Sequence, residues 1–343
     1  MGGVGGPGHN SCTTEPHTSL SVRICLIQER TIGADPNGPC LHHLTVDVEE
    51  YFHVAAMERY LPRSHWAHME SRVVRNTEVL LDLLDEYRVQ GTFFVLGMVA
   101  RDHPELVREL ARRGHEVASH GWDHRRLDDL TPEQFRDQAR QSRALLEELA
   151  GEPVRGYRAP SFSITPGREW ALEILVEEGY RYDSSLYPVR RPGYGYPGGL
   201  RRIHTLELTS GSLVEVPPAT VRFPESERFP GVNLPAGGGG SLRHLPLGLI
   251  RGALSRFQSQ GERATLYLHP WELDTNQPRV PGLGLLTRLR HYRGLGRTED
   301  RLRQLLGAFC FQSIAETMKE DLTWESRSLK GKGRGSSKEG ASR

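Results

Sequence analysis

Lysine is nearly missing from this chain: only Lys319, Lys330, Lys332 and Lys338 occur, all near its end, and arginine supplies the positive charge before them. A surplus of either charge is missing too. Lys+Arg (44) balances Asp+Glu (43), which argues against a nucleic-acid footprint or any polyanionic partner. Cysteine is scarce: Cys12, Cys25, Cys40 and Cys310 show no Cys-x-x-Cys spacing. That excludes a thiolate zinc site and a disulfide framework, and fits a reducing compartment. No apolar run approaches the ~20 residues of a membrane span. A leader-like apolar core is lacking as well, since the nearest candidate, Ser19 to Leu26, is interrupted by Arg23. These absences predict a cytoplasmic location.

What is present is enough chain for one large domain. Its 343 residues exceed the usual ~150 per domain, but barrels run large. Composition divides it into a Gly/Pro-rich extension over residues 1–40, expected to be disordered, an ordered domain over 41–318, and a Ser/Gly/Lys/Arg tail over 319–343, also expected to be disordered. Within the domain, strand-like and helix-like runs alternate. Leu44 to Phe52 alternates as a strand, and apolar residues from Val73 to Tyr87 recur at helical spacing before Gly91 and Thr92 to Leu96. Pro104 to Arg113 reads as a helix, and Thr131-Pro132-Glu133-Gln134 opens another as a capping box. Trp170 to Glu178 and Thr298 to Phe309 read as two more. Such alternation implies a parallel sheet with helices outside it, open or closed into a barrel. From Pro188 to Gly240 the pattern gives way to glycine-rich loops with one strand, Leu213 to Val216.

Polar residues sit at the downstream ends of the apolar strand runs. Asp47 and Glu49 follow Leu44-Thr45-Val46 and, two apart, face the same side. His120 follows Val117-Ala118, Arg158 follows Val154, Asp183 follows Tyr180, and His269 follows Leu266-Tyr267-Leu268. Strand ends of this kind share one face in parallel sheets and barrels, and active sites are built there. His120 and His124 are four residues apart, and one helical turn after Gly121 would bring both rings to one point. Fifteen histidines give about 0.7 such pairs by chance, so the spacing alone decides nothing. Combined with Asp47 or Glu49 it supplies the two-nitrogen, one-oxygen set of a catalytic zinc. The carboxylate left free would act as base, Arg158 would orient it, and His269 would donate a proton to a leaving nitrogen. An oxyanion would rest on the metal and a backbone N–H near Ser161 or Phe162. Asp123 reads as a turn residue, Trp122 and Trp271 as packing or sugar-stacking groups, and His65, His68 and His103 as surface residues.

These motifs resemble the polysaccharide deacetylases of the chitooligosaccharide-deacetylase (NodB-like) type. Ser119-His120-Gly121-Trp122-Asp123-His124 is similar to the family's metal motif, Arg158-Ala159-Pro160 to its Arg-x-Pro motif, and Leu268-His269 to its late Leu-His motif. The resemblance implies a distorted (β/α) barrel of about seven strands and a divalent metal, most often Zn2+. It also implies removal of N-acetyl groups from a carbohydrate partner, an amino-sugar polysaccharide. Carried over residue by residue, it makes His120 and His124 metal ligands, Asp47 the base, Arg158 its partner and His269 the acid. The family's adjacent aspartates are Asp47-Val48 here, so Glu49 is the substitute ligand, with the roles of Asp47 and Glu49 open to exchange. Ser161 stands where the family has tyrosine, and Ser161, Phe162, Trp271 and Asp183 are the candidate substrate contacts. Asp47-Val48-Glu49-Glu50-Tyr51-Phe52 and His269-Pro270-Trp271-Glu272 resemble the subgroup tied to exopolysaccharide and exosortase loci. Two other readings stand beside this one: an amidohydrolase of the same fold acting on a small non-sugar amide, and a non-catalytic glycan-binding relative.

Overall fold

The computed structural model describes residues 41–223 and 232–319. The extension expected over 1–40, with Cys12, Cys25 and Cys40, and all of the expected tail but Lys319 lie outside the described residues. In chain order the strands are β1 (His42–Val48), β2 (Thr92–Val95), β3 (Glu116–Ser119), β4 (Gly156–Tyr157), β5 (Tyr182–Asp183), β6 (His204–Leu208), β7 (Gly211–Glu215), β8 (Thr220–Phe223), β9 (Val232–Pro235), β10 (Thr265–Leu268) and β11 (Phe311–Gln312). The helices are α1 (Val73–Tyr87), α2 (Gly97–Asp102), α3 (Pro104–Arg112), α4 (Pro132–Ala150), α5 (Trp170–Glu177), α6 (Gly239–His244), α7 (Leu247–Ser259), α8 (Leu285–Tyr292) and α9 (Thr298–Leu306).

Strand and helix alternate because the apolar period switches between two and 3.6, and the strands then pair in parallel. Seven of them form one parallel run in the order β10-β1-β2-β3-β4-β5-β7, as expected for a distorted (β/α) barrel. β6 adds an antiparallel edge and β11 pairs with the start of β1. No regular strand joins β7 to β10 among the described residues. Irregular backbone spans the gap instead: Ala219 N–H donates to Thr265 O at 2.9 Å, Gly237 N–H to Ala219 O at 2.9 Å, and Tyr267 N–H to Gly237 O at 2.7 Å. β1 lies in the middle, buried throughout. Leu44, Val46 and Val48 enter the main core with Leu80, Leu81 and Leu84 of α1, while Thr45 and Asp47 face a polar interior.

The α4 capping box forms as read. Gln134 N–H donates to Thr131 Oγ1 at 3.2 Å and Thr131 N–H to Gln134 Oε1 at 3.0 Å. Two expectations are corrected. Residues 188–240 hold more than one strand: β6 and β7 form a hairpin, and β8 pairs with β9. Gly239, the first residue of α6, is closely packed, because a Cβ there would lie 1.7 Å from Glu272 Oε2. The second correction concerns His120 and His124. They sit on a tight loop and not on a helical turn, with Gly121 at φ +77° and His124 itself left-handed at φ +61°. The short helix α2, not anticipated from the sequence, holds that loop. Its Gly97 and Met98 amides donate to Gly121 O and Trp122 O, both at 2.9 Å.

A Cβ on Gly97 would meet the Trp122 ring at 2.2 Å, whereas Gly252 in α7 has open space around it. Gly97→Ala is expected to lose ~1–3 kcal/mol by overpacking against the histidine loop. Gly252→Ala is expected to gain about 0.5–1 kcal/mol from helix propensity. Urea unfolding midpoints of the two variants check this, and equal midpoints would refute the assignment of Gly97 to loop support.

Candidate active site

The strand ends converge as their positions imply. Asp47 near the end of β1, Glu49 just past it, His120 after β3 and His269 after β10 all line one cleft of about 420 Å³, together with His124, Ser161, Phe162 and Trp271. Glu49, His120 and His124 are buried and offer one ligand atom each, all within 4.8 Å of one another. Glu49 Oε2 lies 2.6 Å from His124 Nε2 and 3.9 Å from His120 Nε2. Its geometry makes no hydrogen bond, so a buried carboxylate oxygen stands without a donor between two imidazoles. His120 Nδ1 lies 2.9 Å from Arg158 O; with that nitrogen donating its proton, the Nε2 lone pair turns to the same centre. Burial holds His120 down at about 4, so it is neutral and able to ligate. Burial alone would raise Glu49, yet His124, His269 and His120 hold its carboxyl well below the usual range. The residues therefore fit a divalent cation with a two-nitrogen, one-oxygen donor set.

Asp47 is arranged differently. Arg158 Nη1 donates to its Oδ1 at 2.7 Å, and the guanidinium is completely buried. Other Arg158 contacts go to Thr45 Oγ1 (2.8 Å), Ser184 Oγ (2.8 Å) and Ser184 O (3.3 Å), with the Phe94 ring stacked at 4.1 Å. The charge is fixed in place. Asp47 Oδ2 faces the cleft, 3.9 Å from His269 Nε2, which is also 3.3 Å from Glu49 Oε1. Glu49 thus belongs to the candidate metal group and Asp47 stands outside it.

His269 has a partner the sequence reading missed. Its Nδ1 lies 3.0 Å from Glu272 Oε2, and Glu272 Oε1 accepts from Arg243 Nε at 2.8 Å. Burial alone would lower His269, but Glu49, Glu272 and Asp47 outweigh it and raise it to about 9. Burial would raise Glu272, while Arg243 and His269 hold it down to about 2. The signal was present in His269-Pro270-Trp271-Glu272, whose spacing is a capping box. Trp271 stacks between His269 (centroids 5.2 Å) and His291 (4.6 Å), so packing claims it even though it lines the cleft. Also missed were His53, buried and stacked on His124 at 5.8 Å, and Arg63, which donates to Asp123 O and to His124 O. Ser161 and Phe162 are left-handed at φ +56° and +52°, and with His124 they make three of the four such non-glycine residues among those described. Strain of this kind, of order 1–3 kcal/mol per residue, collects at functional sites. The Phe162 N–H already donates to Ala159 O at 3.0 Å, so it is not offered to an oxyanion.

Comparison with known proteins agrees with this geometry. A polysaccharide deacetylase family model matches residues 68–182, and a Domain of unknown function (DUF3473) matches 184–319. A chitooligosaccharide deacetylase of Bradyrhizobium sp. is 38% identical over 153 residues, covering 37% of this chain and 68% of that protein. The chain belongs to the polysaccharide deacetylase family. Other curated deacetylases match over less. A peptidoglycan-N-acetylglucosamine deacetylase of Bacillus cereus is 32% identical over 28% of this chain and 36% of its own length. A chitooligosaccharide deacetylase of Sinorhizobium fredii is 42% identical over 24% and 40%. Among solved structures, a protein of Mycobacterium smegmatis described as a polysaccharide deacetylase superposes with a TM-score of 0.57 at 23% identity, over 85% of this chain and 93% of that one. An allantoinase superposes at 0.52 with 15% identity, over 83% and 92%. Both likenesses concern the fold.

Within this fold one candidate substrate contact is not brought to the cleft. Asp183, offered by the sequence as a substrate contact, is wholly buried. Its Oδ1 accepts from Ser185 Oγ at 2.6 Å and its Oδ2 from Ser185 N–H at 3.0 Å, a turn that folds the side chain back under the barrel rim. Buried Glu215 is its register partner on β7, and Glu215 Oε1 accepts from Leu186 N–H at 3.1 Å. Burial raises both carboxyls above their ordinary 3.8 and 4.5. Below those values folded and unfolded chains are both protonated and the pair costs nothing. As pH rises through them the unfolded chain releases protons that the folded chain retains, so stability is lost toward neutrality. Glu215→Gln keeps the contact to Leu186 and gives Asp183 an amide donor. The melting temperature of wild type minus that of Glu215→Gln is expected to fall as pH rises from acid to neutral. A difference that is constant or rises would show that burial does not raise the two carboxyls.

Proposed function

We propose that the protein is a metal-dependent hydrolase that removes N-acetyl groups from amino sugars of a polysaccharide, acting in bacterial exopolysaccharide or cell-wall carbohydrate metabolism. One observation carries this reading: three metal-capable side chains, an arginine-anchored carboxylate and a carboxylate-backed imidazole meet in one cleft. Glu49, His120 and His124 would hold the ion, and zinc suits their donor set. When bound, a divalent ion of this kind polarises an amide carbonyl and brings the pKa of a water toward ~7.

The remaining chemistry falls to the chain itself. Asp47 Oδ1 is committed to Arg158, so Oδ2 is the oxygen that takes the proton of the attacking water. His269 Nδ1 is committed to Glu272, so Nε2 is the nitrogen that gives its proton to the departing amine. Asp47 Oδ2 and His269 Nε2 lie 3.9 Å apart, so the proton acceptor and the proton donor serve one reacting centre. Phe162, Trp271 and Ser161 wall the space where the sugar lies, while Asp183 supports the rim from below.

Acetate release from N-acetylglucosamine oligomers tests the proposal, with an allantoin-like amide as comparison substrate. Asp47→Asn and His269→Ala are each expected to lower kcat by roughly 10²–10⁴-fold while metal content is kept. His120→Ala and Glu49→Gln are expected to lose the metal together with activity, by elemental analysis of the purified protein. Preferential turnover of the small amide would overturn the substrate class. Full acetate release by Asp47→Asn and His269→Ala would overturn the mechanism.

A further inference from the structure

The whole-chain charge balance hides one stretch that is not balanced. From Thr275 to Thr298 the sequence has five arginines, Arg279, Arg288, Arg290, Arg293 and Arg297, and no acidic residue. All five are exposed, and none forms an ion pair with a described residue. α8 lies within this stretch. Its Leu285, Leu286 and Leu289 are 69%, 83% and 49% exposed, and the first two are adjacent and project outward. The opposite side of the helix is anchored. His291 is buried against Trp271, and Tyr292 Oη accepts from Val280 N–H at 2.9 Å. Thr287 and Arg290 line the mouth of the cleft.

Protruding leucines collared by unpaired arginines are the pattern of a helix that lies in a bilayer interface. The charge selects the occupant. A second copy of this face would set ten arginines, five from each chain, against one another. A soluble polyanion would satisfy the arginines and leave the leucines in water. An anionic lipid surface satisfies both, with phosphate groups for the guanidinium ions and the acyl boundary for the leucines.

We infer that α8 and its arginine collar dock the protein on an anionic lipid surface, holding the mouth of the cleft at that surface. This is peripheral attachment; no described helix is long and apolar enough to cross a membrane. The inference is read without turnover, so it stands or falls apart from the deacetylase assignment.

Co-sedimentation of the full chain with vesicles tests it, using phosphatidylcholine alone or mixed with phosphatidylglycerol. Binding is expected only to the mixed vesicles, weakening with added salt. Arg288→Gln and Arg293→Gln are each expected to weaken it by about fivefold. Leu286→Asp, at a site too exposed to matter for folding, is expected to weaken it by roughly tenfold or more, with Leu286→Ser as a milder second variant. An unchanged thermal midpoint confirms that each variant is folded. The basic residues beyond Lys319 are the same in every variant, so binding that ignores Leu286 and the arginines would overturn the inference. So would a dimer in light scattering that Leu286→Asp dissociates, or equal binding to both vesicle types.

Discussion

Two carboxylates two residues apart on a buried strand must each be given a separate compensation, or the strand cannot stay where it is. Asp47 and Glu49 are 2% and 3% exposed. Taking an ion out of water costs several kcal/mol even after relaxation, and like charges side by side add to that. The fold answers with two different partners. Asp47 receives a guanidinium that is itself completely buried and whose contacts bind β1 to β4 and to Ser184 beyond β5. Glu49 receives three imidazoles from two separate segments, and one of its oxygens is left without a donor. The difference in surroundings gives one strand's two charges different settings: a fixed acceptor beside a candidate ligand.

The same logic extends outward through His269. An imidazole facing two carboxylates gains charge, but it gains direction only if its far nitrogen is held. Glu272 holds it, and Arg243 in turn compensates Glu272. Because a Cβ at Gly239 would collide with the Glu272 carboxylate, the glycine that opens α6 is needed for this chain of contacts to close. The stretch that composition marks as loose is therefore among the most constrained parts of the site's support.

Much of this was legible from period and position. Alternation along Leu44 to Glu49 placed both carboxylates on one side, and the downstream ends of the apolar runs identified His120, Arg158 and His269 as neighbours across 150 residues. Those inferences rest on strand geometry, which tolerates little variation. The parts that were not legible depend on irregular backbone. His120 and His124 do meet, but through a left-handed loop tied down by α2 and Arg63, and no helical period encodes that route. Asp183 obeys the strand-end rule in sequence and fails it in space, because Ser185 pulls its carboxylate into a local turn. Position at a strand end identifies the rim; only the side chain's nearest donors decide whether it looks into the cleft or beneath it.

The altered first motif has a physical reason of the same kind. Adjacent residues on a strand point to opposite faces, so a second acid directly after Asp47 could reach the cleft only if the strand ended there. Here β1 runs to Val48, which pairs with Val95 and is wholly buried in the apolar core. An aspartate at 48 would place a charge among Val46, Val95 and Leu44 with no donor to meet it. An acid at 49 is on the cleft side, and the extra methylene of glutamate gives this candidate ligand reach from a backbone that has by then left the sheet. On this account Val48 keeps the core apolar while Glu49 supplies an acid on the cleft side.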